Sequence, residues 1–265
     1  MQEVTELYSN KVREKEITLL TLTELEDLTP EVSVLAGSRE EFPEELIFSF
    51  YEKSREIYIR NGFTKKEISL TEWMQNPEGT RSHYVMLIKK DRGDATVIGG
   101  LKLIQDIDNE SCLQDLSTNT KTFPVHGEVA GYNYKNKIPI SVKNSEVIEI
   151  GRLFVDNGTK RDREQETISY AEELIIGLCL YVKHELPEIK SAIGVIEKNL
   201  ALRLMQGMEH HSRTQTSAIY TFPDFYPTKE ILQSNHSPYF IENKGIPFFV
   251  DTNTYISRVL SYYQK

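Results

Sequence analysis

Residues 146–155 read Glu-Val-Ile-Glu-Ile-Gly-Arg-Leu-Phe-Val, and this stretch decides how the rest of the chain is read. Its apolar, β-branched character predicts a strand over 147–155. Glu149 and Arg152 stand three apart inside it. Burying such charges is costly unless they are paired or used, so the strand is a candidate site as well as a piece of core. On a regular strand the two side chains point to opposite faces. A bulge at Gly151 would bring them to a common face and release a backbone N–H.

Downstream, Asp162 and Gln165 form a capping box for a helix running to about Glu185, limited by Pro187. Its apolar stripe is Ile168, Ala171, Ile175, Leu178, Cys179 and Val182. Lys190 to Ile196 reads as a buried strand, and Asn199 to Gln206 as a short helix closed by Gly207. Apolar and aromatic runs at 218–222, 247–250 and 255–263 predict final strands.

Upstream, Glu31 to Ala36 is a short strand. Leu46, Ile47, Phe50, Ile57 and Tyr58 recur at helical spacing over 44–61, and Asn61-Gly62 is a stop signal. Leu70 to Met74 is a second short helix. His83–Lys89 and Thr96–Ile104 alternate about the turn Arg92-Gly93-Asp94 and form a hairpin. The stretch 106–145, rich in Asn, Ser, Gly and Pro, has the length of a functional loop, although a surface insertion reads the same way. This order predicts an α/β fold: a mixed central sheet flanked by helices on both faces. We read 1–265 as a single domain with a core over about 31–215, an N-terminal arm 1–30 and a C-terminal extension 221–265.

The 265 residues are 39% hydrophobic and 10% aromatic, which supports a packed core. The net charge of -9 lacks the basic footprint of a nucleic-acid binder. Cys112 and Cys179 cannot make a disulfide framework, and Cys179 reads as a small core hydrophobe. The polar, acidic start shows no signal peptide, and the longest apolar run, Leu174 to Val182, is too short for a transmembrane segment. A cytoplasmic protein is expected. His210-His211 lacks a further ligand at metal spacing, so no metal is expected.

Four segments carry a resemblance to a known family: Arg55 to Phe63, Val97 to Leu103 (Val-Ile-Gly-Gly-Leu-Lys-Leu), Glu149-Ile-Gly-Arg-Leu-Phe-Val155 and Gly194 to Gly207. They resemble the GNAT-type N-acyltransferases, and within them the branch of acyl-homoserine lactone synthases and N-acyl amino acid synthases. The third segment is close to that branch's Glu-x-Ser-Arg-Phe-x-Val strand, with Gly151 in place of serine. Lys102 stands where the lactone synthases carry arginine, and Glu67 and Glu72 are candidates for their paired acids. The glycine-rich phosphate loop of acetyl-CoA enzymes is absent: its counterpart reads Lys160-Arg-Asp-Arg-Glu-Gln. Close approach to a pyrophosphate favours glycine, so its absence favours acyl-carrier protein over acetyl-CoA as the donor, with acyl-CoA the other co-substrate the resemblance implies. The implied function is transfer of a fatty acyl group to the amine of an amino acid or amino-acid-derived acceptor. An acyl-homoserine lactone autoinducer is one product and an N-acyl amino acid another. No tightly bound cofactor is expected. The rival readings are a GNAT-fold binding module without catalysis and a short-chain CoA-dependent acetyltransferase.

Amide formation from a thioester needs a base, an oxyanion site and two reactants held together. Glu149 is the candidate base, directly or through a water, because partial burial raises a carboxylate towards neutrality. Its alternative is a structural ion pair with Arg152 or Lys102. Arg152 could orient Glu149 or hold an acceptor carboxylate bidentately. As the resemblance implies, a bulge would set the backbone amides of Leu153, Phe154 and Val155 as the oxyanion site. Arg55 and Lys102 are candidate acceptor-binding residues. Lys160, Arg161 and Arg163 place cations at a helix start, against its dipole, which suits a phosphopantetheine phosphate or an acidic carrier-protein surface. A solvated charge run explains them too. Leu101, Leu103, Leu153 and Phe154 are expected to line an acyl tunnel, with Phe123, Tyr132 and Tyr134 in the loop over it. Trp73 is read as packing.

Overall fold

The computed structural model describes residues 19–20, 32–75, 79–91, 94–107, 123–125, 129–130, 142–156, 170–197, 218–221, 226–227, 229–233 and 245–263. The elements run β1 (Leu19–Leu20), β2 (Val32–Ser38), α1 (Glu44–Arg60), α2 (Leu70–Trp73), β3 (Thr80–Asp91) and β4 (Asp94–Asp106). They continue with β5 (Val129–Ala130), β6 (Val147–Val155), α3 (Tyr170–Glu185), β7 (Ser191–Glu197), β8 (Ile219–Thr221), β9 (Tyr226–Pro227), α4 (Lys229–Gln233), β10 (Gly245–Asp251) and α5 (Thr252–Tyr263). An eight-stranded sheet has the order β1-β2-β3-β4-β6-β7-β10-β8, and β5 pairs with β9 apart from it.

The expected mixed sheet is present. β6 runs antiparallel to β4 and parallel to β7, with α3 as the crossover between the parallel pair. α1 and α2 cover one face. Leu46, Ile47, Phe50 and Ile57 recur along α1 and pack on Tyr84, Met86, Ile88 and Phe154 of the sheet. α1 ends at Asn61, where Gly62 takes φ +72, a left-handed value open to glycine. Ser69 caps α2, its Oγ accepting the Glu72 N–H at 3.1 Å. α3 covers the other face through Leu174, Leu178 and Val182, and α5 packs beside it through Leu260.

Three expectations need correction. The run 255–263 is part of a helix, not a strand, and its apolar residues Tyr255, Ile256 and Val259 pack at helical spacing against α3. The C-terminal extension enters the central sheet, because β10 pairs with β7 on one side and β8 on the other. The hairpin strands β3 and β4 are longer than their apolar cores, extending to polar residues at both ends. The capping box at 162–165, the helix at 199–206, His210-His211, Tyr132 and Tyr134 lie outside the described residues. None of the described helices is long and apolar enough to cross a membrane.

α1 lies close on the sheet because β4 presents Gly100 beneath it. A Cβ there would stand 2.8 Å from the Phe50 ring and 2.9 Å from the Val85 carbonyl oxygen. Gly100→Ala should therefore destabilise the protein by about 1–3 kcal/mol, through overpacking against backbone that cannot yield. Urea unfolding checks this, and an unchanged midpoint would show that α1 has room to move.

Candidate functional site

The strand quoted first is bulged. Glu149, Ile150 and Gly151 lie opposite Ile104, Leu103 and Lys102 of β4, and Phe154 and Val155 lie opposite Gly100 and Gly99. Arg152 and Leu153 therefore share one partner, Leu101, two residues against one. Arg152 has φ +54, left-handed for a non-glycine residue. The irregularity is one residue beyond the expected place, since Gly151 keeps its register. Side-chain parity changes across it. Ile148 and Ile150 face α3, Glu149 faces α1, Leu153 and Val155 again face α3, and Phe154 faces α1. Arg152 joins Glu149 on the α1 face.

The α1 face holds the charged group. The Arg152 guanidinium lies 3.7 Å from the Trp73 ring centroid and 5.9 Å from that of Tyr51. Lys102 Nζ lies 5.6 Å from the Tyr51 ring centroid. Glu149 is buried, and its Oε2 accepts the Val125 N–H at 3.1 Å. Burial, with the Arg152 charge behind it, pushes the Lys102 amine down to about 7, while Glu149 acts in the opposite direction. Tyr51 and Tyr84 share a hydroxyl–hydroxyl hydrogen bond of 2.9 Å beside this group, and burial pushes both phenols up. Trp73 donates its indole N–H to Ser54 Oγ at 2.8 Å, and Tyr58 donates its hydroxyl to the Leu153 carbonyl at 3.3 Å. The two residues of the bulge are thus braced from α1 and α2.

Beside the bulge the sheet forks. β6 and β7 pair from Val147↔Ser191 to Ile150↔Gly194, and the pairing stops there. A cavity of about 370 Å³ occupies the divergence. At the fork it is lined by Gly151–Val155, Val195 and Ile196, on the α1 side by Ile57, Tyr58 and Phe63, and on the other face by α3 and α5. The α3 residues Ala171, Ile175, Leu178, Cys179 and Val182 of the expected stripe all line it. Burial pushes the Cys179 thiol up to about 12, so it acts as an apolar wall group. The Asp156 N–H donates to the Ile98 carbonyl at 2.7 Å, so by alternation Phe154 turns its polar backbone groups to β4 and Val155 turns its own to the gap.

Of the expected residues, Glu149, Arg152 and Lys102 come together on one face, and Leu153, Phe154 and Val155 lie at the fork. Glu149 itself does not line the cavity; its Oε2 is held by the Val125 N–H. Leu101 lines the cavity and Leu103 does not. Arg55 is held elsewhere, donating from Nε to the Ile68 carbonyl at 2.6 Å in a groove with Lys53 and Glu56 on the outer side of α1. Lys160, Arg161 and Arg163 lie outside the described residues. Sequence reading missed Tyr51, Tyr84 and the stacking role of Trp73. Their signal was helical spacing and alternation, which core aromatics share.

These features can be set beside known proteins. No family model matches the chain, and no curated protein matches it in sequence. The AHL synthase LasI has 12% identity and a TM-score of 0.48, the match covering 88% of this chain and 95% of that one. An acetyltransferase of the GNAT family from Staphylococcus aureus Mu50 has 10% identity and a TM-score of 0.41, over 84% and 99% of the two chains. An acyl-CoA N-acyltransferase from Pseudomonas aeruginosa has 9% identity and a TM-score of 0.40, over 83% and 99%.

The depressed Lys102 has a consequence for stability. Its folded value of about 7 lies below the ordinary 10.5 of the unfolded chain. Below pH 7 the amine is charged in both states and the burial penalty is fully present. From pH 7 to 10.5 the unfolded chain binds more protons, so this lysine makes stability rise with pH, by at most about 1.4 kcal/mol per pH unit. Lys102→Met should remove that slope. The difference in unfolding free energy between wild type and variant, from urea titrations between pH 6 and 9, should shift towards wild type as pH rises. A difference independent of pH would mean that Lys102 titrates normally.

Proposed function

We propose that this protein is a GNAT-type N-acyltransferase. It moves a fatty acyl group from a thioester, on acyl-carrier protein or acyl-CoA, to the amine of an amino acid or amino-acid-derived acceptor. The observation that carries this reading is the bulge at Arg152–Leu153 beside the β6/β7 fork. The bulge stands between an apolar cavity, which its backbone lines, and the buried Glu149 and Lys102 on the α1 face.

The donor enters at the fork, with its acyl chain in the cavity. Beyond Ile150 and Gly194 the two strands no longer pair with each other, and the gap between them has room for a pantetheine arm. The thioester carbonyl oxygen faces the amides about Leu153–Val155, which receive the oxyanion. The acceptor lies on the α1 face. Arg152 and Lys102 attract its carboxylate or another anionic group, and Glu149, directly or through a water, takes the ammonium proton. The freed amine attacks the thioester carbon, the C–N bond forms, and the C–S bond breaks. The attacking nitrogen gives its second proton to the leaving thiolate, and the proton held by Glu149 is released to water. Lys160, Arg161 and Arg163 suit the phosphate of the donor arm or an acidic carrier surface. The acceptor stays open between S-adenosylmethionine, leading to a homoserine lactone, and a free amino acid.

Lys102 is a second candidate base, favoured by a value near 7 that leaves much of it neutral at physiological pH. The two bases make different predictions. Glu149→Gln should lower kcat by about 10²–10⁴-fold with circular dichroism unchanged, while Lys102→Met mainly raises the acceptor KM. Full activity in Glu149→Gln with its loss in Lys102→Met would move the base to Lys102. The broader test is mass spectrometry of organic extracts from cells overproducing the protein, where new acyl amides are expected. Their absence, with no turnover of acyl-carrier-protein or CoA donors in vitro, would leave the binding-module reading. Retention on immobilised CoA with acetyl transfer would favour the short-chain acetyltransferase.

A further inference from the structure

Within the sheet, Glu149 stands between Ile104 of β4 and Ile193 of β7, its partners on either side. Residues that pair across a sheet share a face, so hydrocarbon flanks the acid in both directions. Both isoleucines are buried, and so is Glu149. A carboxylate so placed loses its hydration, which costs free energy unless donors reach it from outside its own row. Lys102 of β4 and Arg152 of β6 lie on the same face, with Tyr51 of α1 and Tyr84 of β3 beside them. A further donor comes from the long stretch between β4 and β6, where the Val125 N–H reaches Glu149 Oε2 at 3.1 Å. Phe123 is 1% exposed and Val125 is fully buried, so this segment belongs to the packed interior and is not a surface flap. A few residues on, Val129 and Ala130 pair with Pro227 and Tyr226, which ties the same stretch to the C-terminal part of the chain.

We propose that the segment Phe123–Val125 is a clasp that positions the Glu149 carboxylate and sets how readily it takes a proton, with the Val125 N–H as the positioning group. This rests on the acyltransferase reading for the reaction that Glu149 serves. It gives part of the stretch 106–145 a task in that reaction. A main-chain N–H suits the task for two reasons. It has no side-chain torsions, so its direction is fixed once the segment is packed. It carries no net charge, so it steadies the ionised form less than a full ion pair would, and the carboxylate keeps its capacity to take up a proton. The clasp adds no titratable side chain of its own, since its residues are Phe123, Pro124 and Val125.

The direct test is NMR of the Val125 amide proton in the full chain, followed from about pH 4 to pH 9. Its shift should titrate with the carboxylate that it touches. Lys102 titrates near 7 on the same face, so the response must vanish in Glu149→Gln and persist in Lys102→Met. A wild-type amide that does not respond to pH, or one that responds alike in Glu149→Gln, overturns the clasp. The functional test is Val125→Pro, which deletes the N–H. Loss of a hydrogen bond to the ionised form should move the acid limb of the kcat–pH profile up by about one pH unit, with the acceptor KM little changed. Val125→Ala keeps the N–H; it should lower the melting temperature through lost packing and leave the limb in place. A folded Val125→Pro protein with the wild-type limb means that Glu149 merely anchors the segment. If that variant does not fold, the amide titration decides alone. The two claims fail separately. Acyl transfer with an unresponsive amide sinks the clasp and keeps the transferase, and a responsive amide without turnover of any acyl donor does the reverse.

Discussion

One surplus residue on β6 governs the candidate site. Arg152 and Leu153 both face Leu101, and the strand turns on that mismatch. In a straight strand Arg152 would point into the apolar cavity, on the side opposite Glu149. The bulge sends its guanidinium to the Trp73 ring and returns Leu153 and Val155 to the cavity wall. A left-handed arginine costs on the order of 1–2 kcal/mol. The stack on Trp73 and the Tyr58 hydrogen bond to Leu153 hold it there from two helical residues outside the sheet.

The fork follows from how the two halves of the sheet are tied. β7 is paired along its length with β10, so it stays with the C-terminal strands. β6 is tied to β4 on both sides of the bulge, and Asp156 at its end is pinned to α1 by Lys53 at 2.6 Å and Arg60 at 3.0 Å. Past Ile150 the strands follow different partners and part. The cavity fills the gap, lined from α1, α3 and α5, and Lys102, Arg152 and Glu149 sit on the α1 face.

Much of this was legible in the chain. The stripe of α1 and the alternation of β3 predict elements that the structure contains, because one face of each is buried and burial writes its period into the sequence. The placement of Glu149 and Arg152 on one face was legible as a need: two charged residues three apart on a strand share a face only across a bulge. The position of that bulge was not. Glycine at 151 looked like the flexible point, yet Gly151 stays paired and arginine takes the left-handed conformation. The reason lies in Trp73 and Tyr58, distant in sequence. The run 255–263 was misread because a short apolar segment fits a strand or a helix alike until its partner is known. Arg55 was drawn to the site by pattern but is held by the Ile68 carbonyl on the outer side of α1.

The sequence alone determined the layered α/β architecture, the charged strand at its centre and the net acidic charge, since these depend on periodicity, composition and local propensity. Tertiary structure decided the rest: which residue bulges, where β6 leaves β7, and which lysine loses its hydration. Each is a property of side chains meeting from remote segments, where close packing and low dielectric act on groups that no local pattern brings together.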